Sequence, residues 1–111
     1  MSRSPDLSLS KRFIKMISKR GWKVFLVKGN IVVAHRVDYV VVFLLKEWRS
    51  KVFVDRNDVI KALDIRNYYR KRKCIADAVL AARIGRKWHF LLLTKPKSIR
   101  LERGFASNWY P

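Results

Sequence analysis

The stretch that decides the fold is VDYVVVFLLKEWRS, which runs from Val37 to Ser50. Its centre, Tyr39 to Leu45, is an uninterrupted apolar run that charged residues follow directly. Strands that are covered on both faces carry such continuous runs, whereas strands with one wet face alternate apolar and polar residues. The run therefore predicts a central strand that is buried on both faces.

The segments before this strand predict a helix and a hairpin. Apolar residues at helical spacing indicate a first helix that Ser8 or Ser10 caps, that runs to about Arg20 and that Gly21 terminates. The stretches WKVFLV and IVVAH, which the turn KGN separates, predict two strands. A helix and two strands are thus expected ahead of the central strand.

The segment after the central strand predicts a second helix, from about Asp58 to Arg72. Its N-cap is Asp55 or Asn57, and the basic residues near its end suit the negative end of the helix dipole. The stretch KVFV before it either extends the central strand or follows it as a separate strand. The helix is expected to bury a stripe that consists of Val59, Ile60, Leu63 and Asn67.

Two further strands, CIADAVLAARI and KWHFLLL, are joined by a tight turn at Gly85 and Arg86. The predicted element order is therefore α-β-β-β-α-β-β. This order indicates a small, single-domain α/β sandwich with a mixed central sheet. We expect an N-terminal arm over residues 1–8, the α/β domain over 9–94, and a basic, aromatic tail over 95–111.

The charge of the chain is its strongest functional signal. The 111 residues contain 26 Lys and Arg but only 8 Asp and Glu, which gives a formal net charge of +18. Such an excess favours a polyanionic partner, and nucleic acid is the obvious one, because each neutralised phosphate releases a counterion. No apolar run reaches the roughly 18 residues of a membrane span, and no signal peptide is recognisable. We expect a soluble, cytoplasmic protein with no membrane partner.

Clustered basic residues are the candidate contacts to that partner. Lys supplies point charge to phosphates, and Arg adds bidentate contacts. Two aromatic residues of the tail lie too close to its end to serve the core by default, so we expect them to stack on bases. The candidate nucleic-acid-binding residues are Lys11, Arg12, Lys15, Lys19, Lys46, Arg49, Lys51, Arg66, Arg70, Lys71, Arg72, Lys73, Arg86, Lys87, Lys95, Lys97, Arg100, Arg103, Trp109 and Tyr110.

The acidic and sulfur-containing residues do not form a recognisable catalytic or metal site. Asp38 and Glu47 bracket the central strand, and nine residues at about 3.3 Å each would separate them by roughly 30 Å. Asp55 and Asp58 lie where a helix favours carboxylates. Cys74 is the only cysteine, and the two histidines are far apart in the sequence. The residues therefore predict no metal and no cofactor.

Three stretches, RFIKMISKRGWKVFLVKG, DRNDVIKALDIRNYYRKRK and ADAVLAARIGRKWHFLLL, resemble the archaeal Holliday junction resolvases in order and pattern. These enzymes are a branch of the restriction-endonuclease-like PD-(D/E)xK superfamily. The resemblance covers about Leu9 to Leu93 and implies a restriction-endonuclease-like fold, metal-dependent phosphodiester cleavage and dimers. The tRNA-splicing endonucleases, which share a related topology, are a near alternative.

The resemblance also implies where the catalytic groups of that family would lie. The family has an acid on the first helix, an Asp on the second strand and a Glu-x-Lys on the third. These positions fall within LSLSKRF, at Asn30 or Ile31, and on Leu44-Leu45-Lys46. Only the lysine is present, so the resemblance implies a degenerate site without the carboxylates that a magnesium ion needs.

Three functions follow from this combination of charge and resemblance. The first is a catalytically silent nucleic-acid-binding protein whose ligand is structured RNA, a ribosomal subunit being one such setting. The second is a junction-DNA-binding protein or resolvase, active or as the silent partner of a homodimer or heterodimer, for which the shifted Glu47-Trp48-Arg49 is an alternative Glu-x-basic pair. The third is a module that binds an acidic protein.

Overall fold

A computed structural model of the protein describes residues 5–48, 52–101 and 104–111. The order of the elements in these residues follows the prediction, since a helix precedes each of two groups of strands. In chain order they are α1 (Pro5–Ser18), β1 (Lys23–Lys28), β2 (Ile31–Arg36), β3 (Tyr39–Trp48), β4 (Val52–Val54), α2 (Arg56–Lys71), β5 (Ile75–Ile84), β6 (Lys87–Leu93) and β7 (Ile99–Leu101).

The main sheet is mixed and has the strand order β1-β2-β3-β5-β6. Strands β3 and β5 pair in parallel, and the other neighbours pair antiparallel. A parallel pair needs a crossover, and α2 lies in that connection between β3 and β5. The predicted α/β architecture with a mixed central sheet is confirmed.

Strand β3 is covered on both of its faces, as its continuous apolar run predicts. Residues two apart point to the same face of a strand. Val41 and Phe43 belong to a buried cluster that contains Phe13 of α1, whereas Val42 and Leu44 belong to a second cluster on the opposite face. That second cluster contains Val59, Ala62 and Leu63 of α2. The sheet therefore lies between α1 and α2.

The stretch before α2 forms a strand of its own and does not extend the central strand, which is the second of the two predicted possibilities. Strand β4 pairs antiparallel with β7 in a small two-stranded ladder, outside the main sheet. Strand β3 is longer than the apolar run that predicted it and ends at Trp48, which is buried. The described chain thus has the order α-β-β-β-β-α-β-β-β.

The helix boundaries and one buried stripe differ from the prediction. Helix α1 begins at Pro5, so neither predicted serine caps it, and Ser10 is buried within the helix. Asp55, one of the two predicted N-caps, is at the N-cap of α2, although its side chain accepts no capping hydrogen bond. The prediction that Asn67 belongs to the buried stripe of α2 is wrong, since Asn67 is exposed and accepts hydrogen bonds from Arg66. Ala62 is buried instead, because a small side chain fits where the helix approaches the sheet.

The last residues pack on the domain. Ser107 Oγ accepts a hydrogen bond from the backbone N–H of Phe90 at 2.8 Å, and Asn108 Oδ1 accepts one from that of Leu92 at 2.8 Å. Trp109 packs on the buried cluster of α1, with its ring 5.5 Å from that of Phe43. The expectation that this tryptophan does not serve the core is therefore wrong.

No helix in the described part of the chain combines the length and the apolar character that crossing a membrane requires.

Candidate nucleic-acid interface

Helix α1 presents a stripe of positive charge on the side away from the sheet. Lys11, Arg12 and Lys15 on α1 and Lys19 in the turn directly after it are exposed, whereas Phe13 of α1 is fully buried. Successive helical residues turn by about 100°, which places the first three cations within an arc of about 100° on the side opposite the apolar stripe. None of these four forms an ion pair with the described acids. We call them the α1 face.

The predicted cations at the end of α2 divide into two groups. Lys71, Arg72 and Lys73 are exposed and have no acidic partner among the described residues. Arg70 is held in place, since its Nη2 donates to Asp77 Oδ1 at 3.0 Å and its Nε donates to the carbonyl of Ala76 at 2.8 Å. These bonds leave Arg70 less free to contact a ligand than its three neighbours.

Arg66 is half-buried on the same helix. Its guanidinium donates two hydrogen bonds to Asn67 Oδ1, at 3.1 and 3.0 Å. Burial lowers the pKa of Arg66, and the nearby charge of Arg70 lowers it further. Its guanidinium is thus engaged by its neighbour, which makes it a weaker phosphate ligand than the exposed cations.

The other predicted basic residues lie at the edges of the domain. Arg86 and Lys87 are exposed at the turn between β5 and β6, where Gly85 has φ 61°. The segment between β6 and β7 contributes the exposed Lys95 and Lys97, and β7 contributes Arg100. Arg49, Lys51 and Arg103 lie outside the described residues.

The two predicted tail aromatics have different surroundings. Tyr110 is 73% exposed, so its ring is available to a ligand. Trp109 is half-buried, and its indole N–H donates to the hydroxyl of Tyr39 at 3.1 Å. Tyr39 in turn donates to Asp77 Oδ2 at 2.7 Å. Burial raises the pKa of Tyr39 to about 12, and the bond to Asp77 adds to the rise.

The positions to which the resemblance assigns carboxylates meet across β2 and β3. Ile31 and Leu44 are directly paired in the antiparallel ladder. They are only 5% and 0% exposed, and both belong to the buried cluster under α2. A divalent cation of the magnesium type requires oxygen ligands. The two apolar side chains therefore do not fit the metal that the resemblance implies.

Lys46, the one residue that matches the pattern implied by the resemblance, has a structural partner. Its Nζ lies 3.0 Å from Asp58 Oδ2, in the first turn of α2, and both side chains are about one-quarter exposed. Asn30 closes the same end of the ladder, since its backbone carbonyl accepts from the N–H of Leu45 at 2.7 Å. Lys46 thus joins β3 to α2, and its ammonium is neutralised within the protein.

Asp38 and Glu47 stay far apart. Asp38 precedes β3 and Glu47 is near its other end, so the strand holds them apart as predicted. In the first-helix stretch that the resemblance assigns to an acid, Ser10 is 3% exposed and its Oγ has no hydrogen-bond partner among the described residues. No cluster of three or more His, Cys, Asp or Glu side chains suited to a metal occurs in these residues.

Comparison with known proteins identifies the architecture. No family model and no curated protein matches the sequence. Among solved structures, the chain is similar to Hjc, a Holliday junction resolvase from the archaeal hyperthermophile Archaeoglobus fulgidus, with a TM-score of 0.74 and 15% sequence identity. The match covers 90% of this chain and 85% of that chain. This chain has the resolvase fold.

The two positions to which the resemblance assigns carboxylates converge because of the strand pairing in this fold. Backbone pairing brings residues 31 and 44 together whatever their side chains are. Here the pair completes an apolar core instead of a charged site. The fold brings these two positions together, and this sequence places apolar residues at both of them.

Two further residues of α2 join the candidate contacts: Lys61, which is not among the predicted ones, and Tyr68, for which the sequence leaves open whether it or Tyr69 contacts a ligand. Lys61 is exposed on α2. Tyr68 is 50% exposed, and the Arg72 guanidinium carbon lies 3.6 Å from its ring centroid. The spacing of four residues between Tyr68 and Arg72 on a predicted helix is a signal that could have identified this pair. Together with Lys71, they form the outward side of α2, which we call the α2 face.

Proposed function

We propose that this protein is a non-catalytic nucleic-acid-binding protein that contacts phosphates without reading sequence. The observation that carries the proposal is the set of exposed cations on both helices that have no acidic partner among the described residues. In that part of the chain only Lys46 and Arg70 form ion pairs with acids. The free cations repel one another, and a polyanion relieves that repulsion while it releases its own counterions.

The absence of cleavage follows from the composition of the family's catalytic positions. Phosphodiester cleavage of the resolvase type needs carboxylates that hold a divalent cation against the phosphate. Ile31 and Leu44 occupy these positions, and both are buried in an apolar cluster. Lys46, the remaining group, is engaged with Asp58. We therefore assign the fold a binding role.

Structured RNA is the ligand that we propose. Cations lie on both helices, at the β5–β6 turn and beside β7, so they are distributed around the domain. A folded RNA presents phosphates from several directions and is recognised largely by shape and backbone contacts. Exposed Tyr68 and Tyr110 add surfaces for unpaired bases. Association with a ribosomal subunit is one setting in which such a ligand occurs.

Junction DNA is the second candidate, because the similar solved structure is a Holliday junction resolvase. Under this alternative the protein binds the arms of a branched duplex, as a homodimer or as the silent member of a heterodimer. A partner subunit would then supply the carboxylates that this chain lacks at positions 31 and 44. The two candidates share phosphate chemistry and differ in the shape of the nucleic acid.

Binding and cleavage measured on the same substrates test the proposal. Fluorescence anisotropy with a folded RNA, a four-way DNA junction and a linear DNA duplex of equal length gives the order of affinity. Gel analysis of the same samples with magnesium or manganese detects strand cleavage. We expect tight binding, strongest for the folded RNA, and intact strands in every sample.

Lys46→Ala is the control for cleavage. Metal-dependent cleavage by the wild type that disappears in this variant would show that the protein is an active nuclease and would overturn the non-catalytic assignment. Cleavage that persists in the variant comes from a contaminant or from a site that does not use Lys46, and it would follow the protein through further purification only in the second case. Tighter binding to the junction than to the folded RNA would favour the second candidate.

A further inference from the structure

The α1 face and the α2 face lie on opposite sides of the molecule. Helix α1 packs on the sheet face that carries Val41 and Phe43, and α2 packs on the face that carries Val42 and Leu44. A complete sheet therefore separates the two helices. The exposed cations of each helix point away from this sheet, because the apolar side chains of both helices point towards it.

The composition of each face suits a phosphate backbone. The α1 face contains four cations, and residues 9–18 of its helix include no acid. The α2 face contains Lys61, Lys71 and Arg72 with one exposed acid, Asp64, among them. It also contains Tyr68, whose ring one guanidinium covers. Each face thus has a net positive charge of its own.

A single straight helix of nucleic acid cannot contact both faces. The principal extents of the protein are 39 × 29 × 28 Å. Duplex DNA has a persistence length of about 50 nm, so wrapping it around a body of this size would require severe bending. A ligand that uses both faces must therefore offer two separate segments.

We propose that this protein binds two nucleic-acid segments at the same time, one on the α1 face and one on the α2 face, and so bridges them. The inference rests on the proposed function, since it requires that the protein binds nucleic acid. It adds that the two faces act independently and that one molecule of protein suffices. Two helices of a folded RNA, or two arms of a branched DNA, would satisfy the same geometry.

A two-duplex capture experiment tests the bridge. One duplex is fixed to beads, and a fluorescent duplex of unrelated sequence stays on the beads only if the protein connects the two. The α1 variant combines Lys11→Gln, Arg12→Gln and Lys15→Gln. The α2 variant combines Lys61→Gln, Lys71→Gln and Arg72→Gln. The charge-matched control removes three exposed cations at and beside β1 that belong to neither face and are not candidate contacts, with Arg20→Gln, Lys23→Gln and Lys28→Gln.

We expect the wild type and the control to capture the second duplex. Each face variant should capture about tenfold less while it still binds the first duplex, because removing three phosphate contacts weakens only the altered face. Parallel experiments with RNA and DNA duplexes show which backbone is used. Circular dichroism of each variant verifies that the exposed substitutions leave the fold intact.

Several results would overturn the inference, and they differ from a failure of the proposed function. Undiminished capture by either face variant would mean that one face is enough, as in a self-associated protein that uses a single face per copy. Capture restored by mixing the two face variants would likewise show that bridging requires more than one protein molecule. Absence of binding to any single duplex would remove the proposed function itself, and the bridge with it.

Discussion

At the scale of single residues, the hydroxyl of Tyr39 connects the C-terminal segment to the sheet. It accepts a hydrogen bond from the indole N–H of Trp109 and donates one to Asp77. Asp77 also accepts from Arg70 at the end of α2. A chain of polar groups therefore joins the final residues, β3, β5 and α2, and each member depends on its neighbours for its hydrogen bonds.

Replacing this hydroxyl should lower the stability of the fold and change its dependence on pH. Tyr39→Phe should reduce the free energy of unfolding by about 1–2 kcal/mol near neutral pH, because it removes two hydrogen bonds of a half-buried group. The pKa of Tyr39 is raised from 10.0 to about 12 in the folded protein. The folded state then holds this proton more tightly than the unfolded state, so the contribution is complete below pH 10 and is lost as the pH rises towards 12.

Denaturant unfolding at a series of pH values measures this effect. The difference in stability between the wild type and Tyr39→Phe should stay constant up to about pH 10 and shrink above it. Tyr110→Phe, which changes an exposed hydroxyl, is the control and should follow the wild type. A difference that stays constant up to pH 12 would contradict the assigned pKa.

Single residues also show what the sequence leaves open about the positions to which the resemblance assigns carboxylates. The resemblance placed the Asp position at Asn30 or Ile31 and could not choose between them. Strand register distinguishes the two residues, since Ile31 is the direct partner of Leu44 whereas Asn30 lies in the preceding turn. A one-residue shift reverses the face to which a strand side chain points, and register depends on the partner strand.

At the scale of elements, residues 107–109 act as a strap along the edge of β6. The backbone N–H groups of Phe90 and Leu92 donate to side chains of this strap, and the N–H of Asn108 donates to the carbonyl of Phe90 at 3.0 Å. These bonds occupy hydrogen-bonding groups that an edge strand would otherwise expose to association with other strands. Trp109 fixes the strap by packing its ring on the core.

Removing that ring should destabilise the whole domain. The ring of Trp109 lies 5.5 Å from those of Phe43 and Phe90 and 5.9 Å from that of Trp22. We expect Trp109→Ala to cost about 3 kcal/mol, the lower end of the range for buried tryptophan, because the ring is only half-buried. Tyr110→Ala, at the exposed neighbouring position, should change stability by less than about 0.5 kcal/mol. Thermal and denaturant unfolding of both variants measure the contrast, and equal small effects would mean that the strap does not support the core.

Elements with strong local patterns were predictable, and elements that depend on distant partners were not. The hairpin of β5 and β6 is where Gly85 and Arg86 indicated it, because a tight turn is encoded by the residues within it. The strands β4 and β7 have three residues each and pair only with one another. Such short strands carry little periodicity, so their pairing depends on the packing of residues almost fifty positions apart.

At the scale of the whole molecule, the net charge of +18 makes binding sensitive to ionic strength. The logarithm of the affinity for duplex DNA should fall linearly with the logarithm of salt concentration, with a slope of about −0.9 per phosphate contact. If about six to ten contacts form, affinity should fall by roughly 10³ to 10⁵ between about 50 and 200 mM salt. Anisotropy titrations at several salt concentrations give the slope.

Variants of the α1 face show which cations cause the salt dependence of binding. For a single duplex bound on the α1 face, removing Lys11, Arg12 and Lys15 should reduce the magnitude of the slope by about 2 to 3. Lys46→Gln should leave the slope nearly unchanged, since this ammonium is paired with Asp58. An affinity that hardly changes with salt would exclude phosphate contacts as the main source of binding.

The sequence by itself determined the doubly covered central strand, the apolar sides of the two helices and the excess of positive charge. These properties arise from composition and from periodicities of two and 3.6 residues, which are local. Only the tertiary structure decided that the cations form two opposed faces, that Ile31 meets Leu44, and that Trp109 joins the core. These facts depend on which segments pack together across the sheet, and such long-range packing is a property of the complete fold.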